Sequence, residues 1–442
     1  MKRFTLCLLC LLLLCPAACC ESFRPLPACL QFDLVFSQQE KLSANTYLRR
    51  SYPRTALPAV DQEIAALVNA LADRAVRPGK CKTEGYLDIT CRVSRSGSSL
   101  MSFLILASTV EDHVQTHVAL DNRVYDMQSG RQIYLTHLFE EDPAVWDFLA
   151  GEVRRQIEAY YPHLTPDEQA LNELCRPENI RSAAFSLTPA QLEVHYTAGQ
   201  VYGRPTVMHV RIPHRTLQPY LSAYGREQTD NSGYKMIALT YDDGPVRNTS
   251  NRLMDTLLAH GANATFFVVG TRLNSNQDIL CREQDTGFQV ASHNYEHVYK
   301  ETDLNKIRRW KEKFDAEFSR ITGTLPTAMR APGGNYKNYA KAPVNLPLIQ
   351  WSVVSDDASA SHSDAKFRRI VGTVCNRAVP GAIVLMHDMN YDSPRYTEEI
   401  LQRLEADHFL CVTVEELFLH YGIALEPNQV YYDAMTPAEI VN

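Results

Sequence analysis

The sequence has 442 residues, of which 45% are hydrophobic, 21% are charged and 9% are aromatic. This composition is typical of a globular protein with a substantial core, and it excludes a disordered, collagen-like or coiled-coil chain. At about 100–200 residues per domain, the length corresponds to two or three domains. The formal net charge is -7 and no basic cluster is visible, so we expect no nucleic-acid partner.

Residues 1–20 have the pattern of a secretory signal peptide. Lys2 and Arg3 precede an apolar run over residues 4–14, and small residues follow the run. The run is shorter than the ~20 apolar residues that a membrane-spanning helix needs. We therefore expect a secreted or cell-envelope protein. Two alternatives attach this end to a membrane: an uncleaved signal that acts as an anchor, or a lipid on Cys19 or Cys20.

Residues 25–221 are predicted to form an α+β region of one or two modules. An apolar stripe after Pro58 predicts a first helix, and a second helix is predicted over residues 143–160. Apolar runs predict strands at 86–93, 100–108, 114–126, 192–196 and 206–212. The polar, turn-rich stretch 222–233 is predicted to be a linker.

The pattern changes in residues 234–424, where short apolar runs alternate with helical segments. Alternation of strand and helix predicts a parallel sheet, and we expect a distorted (β/α)7 barrel with a core of its own. In such barrels the chemistry collects at the carboxyl ends of the strands. A C-terminal tail is predicted over residues 425–442. The expected strands are 235–241, 264–269, 289–293, 328–331, 348–354, 382–387 and 409–414.

Polar side chains stand where four of these strands should end. They are Asp242 and Asp243, the pair His293 and His297, then Arg330, and finally His387. Two histidines and one carboxylate can hold a divalent metal with open positions for water and substrate. A second carboxylate could take a proton, an arginine could keep it ionised, and a separate histidine could protonate a leaving group. This set predicts metal-assisted hydrolysis of an acyl group.

These motifs resemble those of the polysaccharide deacetylases of the NodB-homology type, carbohydrate esterase family 4. The resemblance covers about residues 234–421 and rests on Thr-Tyr-Asp-Asp-Gly, His-x-x-x-His, Arg-x-Pro and Leu-x-His in that order. It implies that Asp242 is the general base, that Arg330 orients it and that His387 is the general acid. It also implies that Asp243, His293 and His297 bind the metal.

The same resemblance implies a substrate pocket. Leu385 would line the space for the acetyl methyl group, and a backbone N–H near Gly333 would help to stabilise the oxyanion. The residues expected to contact substrate are Tyr241, Gly333, Trp351, Asp357 and Leu385.

The sequence departs from the family pattern at several positions. Asn294 replaces a serine or threonine, and Gly333 replaces a tyrosine, which would widen the cleft. Val354 stands where the family has the aspartate that tunes the acid histidine, and Ala358 replaces a tryptophan that walls the groove. Either Asp356 or Asp357 then shifts into the tuning role, or the pKa of His387 is set in another way.

The predicted function is removal of N-acetyl groups from an envelope polysaccharide, with peptidoglycan as the first expectation. An O-acetyl esterase acting on xylan-type glycans and a non-catalytic glycan-binding protein on a decayed barrel remain as alternatives. The expected cofactor is one divalent ion, with zinc first and Co, Ni, Mn or Fe as alternatives. The expected partner is polysaccharide or peptidoglycan, and the expected state is a monomer. Two stretches of residues 25–221 also resemble, by pattern, the paired extracellular domains that precede the catalytic domain in some Gram-positive peptidoglycan deacetylases. They are Ser51-Tyr52-Pro53 with the helix after it, and the run from Asp126 through Leu138-Phe139 to residues 206–213.

Overall fold

The computed structural model describes residues 23–342, 344–358 and 363–440. The predicted signal peptide and the cysteines proposed for lipid attachment lie outside these residues. Among the described residues, no helix combines the length and the apolar character that crossing a membrane requires.

The first part, residues 23–221, is built on a mixed sheet with the strand order β1-β3-β4-β5-β6-β7, and β2 pairs with β3. A separate antiparallel sheet has the order β10-β9-β8. The predicted strands are all present. The strand bounds are β1 (Phe32–Phe36), β2 (Glu40–Lys41), β3 (Thr46–Thr55), β4 (Gly85–Ser96), β5 (Leu100–Glu111), β6 (Val114–Asp126), β7 (Arg131–Gln132), β8 (Ala184–Leu187), β9 (Gln191–Thr197) and β10 (Val207–Pro213).

Both long helices of the first part begin where the sequence predicted them. Each has a proline in its first turn, a position that needs no backbone N–H, and each buries one apolar stripe. The α-helices before residue 234 are α1 (Pro58–Arg74), α2 (Pro143–Glu158), α3 (Glu168–Leu174), α4 (Pro177–Arg181), α5 (Gly199–Tyr202), α6 (His214–Leu217) and α7 (Ala223–Thr229).

The prediction that residues 222–233 form a linker is wrong in its local structure. The stretch contains α7, which begins after Ser222, whose hydroxyl accepts a hydrogen bond from the Gly225 N–H at 3.0 Å. Its polar side chains bond to the turn between β4 and β5. The Ser99 N–H donates to Gln228 Oε1 at 3.1 Å, and the Gly97 N–H donates to Asn231 Oδ1 at 2.9 Å. Polarity here reflects buried hydrogen bonding rather than exposure to solvent.

The second part, residues 234–440, confirms the α/β class. Parallel strands have the order β13-β12-β11-β16-β15, and β17 pairs with the first half of β11. The strands are β11 (Lys235–Gly244), β12 (Thr265–Val268), β13 (Gln289–Ser292), β14 (Leu348–Ile349), β15 (Val353–Val354), β16 (Ile383–His387), β17 (Phe409–Val412), β18 (Gln429–Tyr431) and β19 (Glu439–Ile440). The helices are α8 (Ser250–Ala259), α9 (Gly270–Leu273), α10 (Gln277–Asp285), α11 (Leu304–Thr322), α12 (Tyr336–Lys341), α13 (Asp364–Arg377), α14 (Ser393–Ala406) and α15 (Val414–His420).

Two of the predicted strands are less regular than expected. Residues 328–331 contribute only isolated bridges, in which Met329 pairs with Ser292 and Leu348. Residues 348–354 are divided into β14 and β15. The buried Arg330 guanidinium donates hydrogen bonds to the carbonyl oxygens of Ile349 and Gln350, which a continuous ladder would otherwise use.

The prediction that residues 425–442 form a tail is also wrong for the described residues 425–440, which contain two paired strands. Strand β18 pairs in parallel with β14, and β19 pairs antiparallel with β18. Val430 is fully buried and Tyr431 is nearly so. The Gln350 N–H donates to the Tyr431 carbonyl at 2.7 Å, so this segment supports the chain beside Arg330.

Helix α10 connects the two parts of the molecule. Its residues from Asp278 to Asp285 are all buried, including the charged ones. Asp278 accepts a hydrogen bond from the Tyr86 hydroxyl at 2.9 Å, and Asp285 accepts one from the Val207 N–H at 2.8 Å. One apolar cluster includes residues of both parts, although the second part has further clusters of its own. The boundary near residue 234 therefore does not separate two independent cores.

A chain that begins at Asp230 is expected to be insoluble or to lack cooperative unfolding. Removing the first part would expose the apolar cluster and would leave the buried Asp285 without the Val207 and Gln115 donors. Soluble yield and near-ultraviolet circular dichroism of the two chains are the measurements. A truncated chain that is soluble and unfolds as cooperatively as the full chain would contradict this expectation.

Candidate active site

The two adjacent aspartates at the end of β11 point in different directions. The ladder between β11 and β12 shifts register between Asp242 and Gly244, and Asp243 adopts a left-handed conformation with a φ of 77°. Left-handed backbone at a residue other than glycine is uncommon, and here it coincides with the register shift within β11. Asp242 is thereby directed towards Arg330 and Asp243 towards the histidines of the next motif.

Asp243, His293 and His297 come together with ligand atoms that all lie within 4.8 Å of one another. Asp243 Oδ1 is 2.9 Å from His297 Nε2 and 3.4 Å from His293 Nε2. The His293 Nδ1–H donates to the Arg330 carbonyl oxygen at 2.8 Å. A carbonyl can only accept, so this bond places a proton on Nδ1 and directs Nε2 towards Asp243.

This triad fits a divalent metal ion. Among the described residues, Asp243 Oδ1 is a buried carboxylate oxygen without a hydrogen-bond partner of suitable geometry. Burial would raise the pKa of Asp243, but the adjacent imidazoles outweigh burial and hold it well below its usual range. One ionised oxygen and two imidazole nitrogens suit zinc, cobalt, nickel, manganese or iron. Metal binding itself stays a prediction.

Replacing His297 by alanine is expected to abolish stoichiometric binding of a divalent ion, because His297 supplies the ligand atom nearest to Asp243 Oδ1. Elemental analysis of dialysed protein measures the effect. His117→Ala, at an exposed strand histidine, is the matched control and should keep the full metal content. Equal metal in both variants would remove His297 from the ligand set.

Arg330 is fully buried and holds Asp242. Its Nη1 donates to Asp242 Oδ1 at 2.8 Å and to Thr240 Oγ1 at 2.7 Å, while Nε and Nη2 donate to main-chain carbonyls. Its guanidinium carbon lies 4.1 Å from the centre of the Phe267 ring. All of these contacts orient the guanidinium, so a positive charge is fixed beside a carboxylate that is itself buried.

His387 lies next to Asp242, because these two residues pair in the ladder between β16 and β11. Its hydrogen-bond partner is Asp357, so Asp357, and not the residue at position 354, supplies the carboxylate beside His387. The His387 Nδ1–H donates to Asp357 Oδ1 at 2.7 Å, and the His387 N–H donates to Asp357 Oδ2 at 2.8 Å. The chain turns at Asp356, whose φ is 62°, and this turn directs Asp357 back towards His387.

Asp357 is therefore wrongly predicted as a substrate contact. It is 1% exposed and also accepts hydrogen bonds from the Tyr396 and Ser355 hydroxyls, at 2.6 and 2.9 Å. Burial lowers the pKa of His387, but the hydrogen bond and charge of Asp357, with smaller effects from Asp242 and Asp243, raise it to about 9. The contact fixes Nδ1 as the protonated nitrogen and leaves Nε2 to face the cleft.

Tyr241 is also wrongly predicted as a substrate contact. It is fully buried, its ring stacks on Phe266, and its hydroxyl pairs with Thr397 of α14 at 3.0 Å. Side chains alternate along a strand, so the residue between Thr240 and Asp242 must face the helices. By contrast, Leu385 lies two residues before His387 on the same strand, and Trp351 is half-buried against Gly334.

The sequence did not reveal two polar residues that support the site. Thr240 accepts a hydrogen bond from Arg330, and strand alternation with Asp242 could have indicated this. Tyr396 bonds to Asp357 from α14, 39 residues along the chain, and no motif indicates that contact.

A second group of metal-type side chains lies outside this site and does not suit a metal. Glu193 is paired with Arg92 at 2.6 Å and with Arg211 at 3.1 Å. His195 Nδ1 and His209 Nδ1 are 2.9 Å apart, and their other ring nitrogens bond to the Ser186 hydroxyl and the Asp285 carbonyl. Every ring nitrogen has a partner and two guanidinium groups occupy the carboxylate, so the group is a hydrogen-bonded chain that ends on α10.

Comparison with known proteins identifies the class. The family model described as polysaccharide deacetylase matches residues 229–346, a segment that includes both aspartates, both histidines and Arg330. A chitooligosaccharide deacetylase of Bradyrhizobium is 33% identical over 177 residues, which are 38% of this chain and 77% of that protein. The chain belongs to the polysaccharide deacetylase family.

Two longer relatives are also similar to part of this chain. A peptidoglycan-N-acetylglucosamine deacetylase of Listeria monocytogenes is 33% identical over 201 residues, which are 45% of this chain and 41% of that protein. A peptidoglycan-N-acetylmuramic acid deacetylase of Bacillus subtilis is 31% identical over 194 residues, or 43% and 40% of the two chains. The match thus spans about four tenths of the length of these relatives.

Proposed function

We propose that this protein is an exported, metal-dependent hydrolase that removes N-acetyl groups from the amino sugars of an envelope polysaccharide, with peptidoglycan as the first substrate class. The observation that carries the proposal is the juxtaposition of the Asp243, His293 and His297 triad with two separately held proton-transfer groups. These groups are Asp242, which is hydrogen-bonded to Arg330, and His387, which is hydrogen-bonded to Asp357.

Each residue has a distinct task in the proposed reaction. A divalent ion held by Asp243, His293 and His297 would supply a Lewis acid for water and for the acyl oxygen. Asp242 accepts the proton of the attacking water, because Arg330 holds its carboxylate in place beside the metal triad. The Gly333 N–H, on an exposed turn after Pro332, lies in the loop that would donate to the developing oxyanion.

The leaving amine needs a proton, and His387 is placed to give it. With Nδ1–H donated to Asp357, the proton on Nε2 is the one available to the substrate nitrogen. The raised pKa of His387, about 9, keeps the imidazole protonated near neutrality. The Asp242 carboxylate beside it accepts a proton earlier in the cycle, so base and acid are different groups with separate supports.

The names of the relatives support an amide substrate. The three proteins compared above are named for deacetylation of N-acetylglucosamine, N-acetylmuramic acid or chitooligosaccharide. The predicted signal peptide supports an envelope location. The ladder that passes from β13 through Met329 to β14, together with the β15 and β16 pair, supports a distorted barrel for the second part.

The alternative of a decayed, non-catalytic barrel loses its main argument. It rested on Val354 at the position of the tuning aspartate and on Ala358 at the position of the groove tryptophan. Asp357 makes the contact to His387 instead of residue 354, so the first of these departures no longer counts against activity. Retention of the base, the metal triad, the arginine and a supported acid favours activity.

The test is acetate release by metal-loaded protein from three substrates: chitotetraose, peptidoglycan fragments and acetylated xylan. The proposal expects release from the first two at rates well above release from xylan. Release from xylan alone would assign an O-acetyl esterase. No release from any of the three, with one ion bound per chain, would overturn the proposal.

A further inference from the structure

Two consecutive glycines in the loop after Arg330 leave room for aromatic rings from elsewhere in the chain. Gly333 and Gly334 both have positive φ, 63° and 70°. A Cβ on Gly333 would collide with Cδ1 of Tyr299 and lie 3.0 Å from its Cε1. A Cβ on Gly334 would lie 2.8 Å from Cη2 of Trp351. The expected widening of the cleft at Gly333 is thus offset, because the Tyr299 ring fills that space.

The Tyr299 ring is held at one edge and open elsewhere. It contacts the His297 imidazole edge to face, with ring centres 4.9 Å apart. The main-chain carbonyl oxygen of Tyr299 accepts a hydrogen bond from Asn335 Nδ2 at 2.9 Å. This bond connects the loop that carries Tyr299 to the loop that carries Gly333. Nevertheless 59% of the Tyr299 surface is exposed. An aromatic side chain so exposed, beside a candidate metal ligand, has apolar surface to offer to a ligand.

We propose that Tyr299 is a specificity-determining residue that forms the aromatic wall for the sugar whose N-acetyl group reaches the metal triad. The apolar C–H face of a pyranose packs against the exposed ring, while Gly333 lets the ring approach the cleft floor. The ligand class is an N-acetylated hexosamine within a glycan. This inference rests on the proposed function and assigns the recognition of the sugar to a loop other than the one that carries Arg330.

The first experiment measures binding without turnover. Chitotetraose is titrated by calorimetry into metal-loaded Asp242→Asn protein, alone and combined with Tyr299→Phe or Tyr299→Ala. Phenylalanine keeps the ring, so the affinity should stay within about twofold, whereas alanine should weaken binding by about tenfold. Equal affinity of the alanine variant overturns the proposal. So does failure of the parent protein to bind chitotetraose.

Gly333→Ala supplies an independent arm. Its new Cβ would occupy the place of the Tyr299 ring, so this change should also weaken chitotetraose binding. If it acts by displacing the ring, Gly333→Ala combined with Tyr299→Ala should bind no more weakly than Tyr299→Ala alone. Fully additive losses of chitotetraose affinity would mean that Gly333 acts independently of Tyr299. That result contradicts the proposal that Gly333 matters because it leaves space for the Tyr299 ring.

A merely structural role for Tyr299 predicts a different result. If the ring only supports His297, Tyr299→Ala should lower the metal content and should slow hydrolysis of a small ester, p-nitrophenyl acetate, that carries no sugar. The proposal expects unchanged metal content, unchanged ester hydrolysis and a raised KM for chitotetraose with little change in kcat. Loss of metal or of ester hydrolysis overturns it.

The two proposals fail in distinguishable ways. Binding of chitotetraose that depends on Tyr299, with no acetate released by the unmodified protein, would refute the deacetylase function and keep the sugar site. Acetate release that is indifferent to Tyr299→Ala would keep the deacetylase function and refute the sugar site.

Discussion

Asp242→Asn is expected to retain one divalent ion and to lose about 10²–10⁴-fold in turnover of N-acetylated oligosaccharides. An amide has nearly the shape of the carboxylate but cannot accept the proton of the attacking water. Arg330 is also oriented by four hydrogen bonds, of which Asp242 accepts one, so the substitution should leave the surrounding structure in place. Steady-state acetate release and metal content, measured on the same preparation, give the result.

The neighbouring aspartate provides the control. Asp243→Asn removes an ionised oxygen from the triad, so it should lose metal as well as activity. The two substitutions, one residue apart, thus separate proton transfer from metal binding. Turnover by Asp242→Asn within a few-fold of the unmodified protein would mean that Asp242 is not the base. Loss of metal from Asp242→Asn would assign it to the ligand set instead.

Asp357→Asn is expected to move the alkaline limb of the pH–rate profile to lower pH by about one unit or more. The carboxylate of Asp357 raises the pKa of His387 to about 9, and the pKa must fall when that charge is removed, because burial then dominates. An acid is active only below its own pKa, so activity is lost first at alkaline pH and is weakened near neutrality. The profile of kcat against pH measures the shift.

Val354→Asp is the matched control for that prediction. Val354 lies at the end of β15, paired with Leu385, and the family pattern would place the tuning aspartate there. Because Asp357 already bonds to His387, a carboxylate at position 354 should give no gain at neutral pH. A clear gain from Val354→Asp, or a profile of Asp357→Asn that matches the unmodified protein, would show that Asp357 does not tune His387.

The sequence alone was sufficient to predict the α/β class and the polar residues at the strand ends. Parallel strands bring their carboxyl ends to one edge, so Asp242, His293, Arg330 and His387 could be predicted to meet without any knowledge of loop geometry. The motif order then indicated the family that the comparisons confirm.

The misassigned residues depended on local geometry. Tyr241 belongs to a motif, but alternation within β11 directs it to the helix layer. Asp357 is three residues from the expected position of the tuning aspartate, and only the left-handed turn at Asp356 brings it to His387. A single sequence does not report the direction of a loop after an irregular strand such as β15.

Long-range contacts account for the remaining differences. Polarity in residues 222–233 indicated solvent exposure, but Gln228 and Asn231 bond to backbone groups near residue 98. The charged residues Asp278 and Asp285 of α10 are buried, and they bond to Tyr86 and Val207 of the first part. Composition predicts whether a segment is polar, and partners distant in sequence decide whether it is buried.

The most direct measurement is acetate release from chitotetraose by protein that has been stripped with a chelator and then supplied with zinc in steps. We predict that the stripped protein releases no acetate. Release should then rise in proportion to added zinc and level off at one ion per chain, while His297→Ala shows no such rise. Undiminished release by stripped protein, or no release by protein holding one ion per chain, would contradict a metal-dependent deacetylase built on Asp243, His293 and His297.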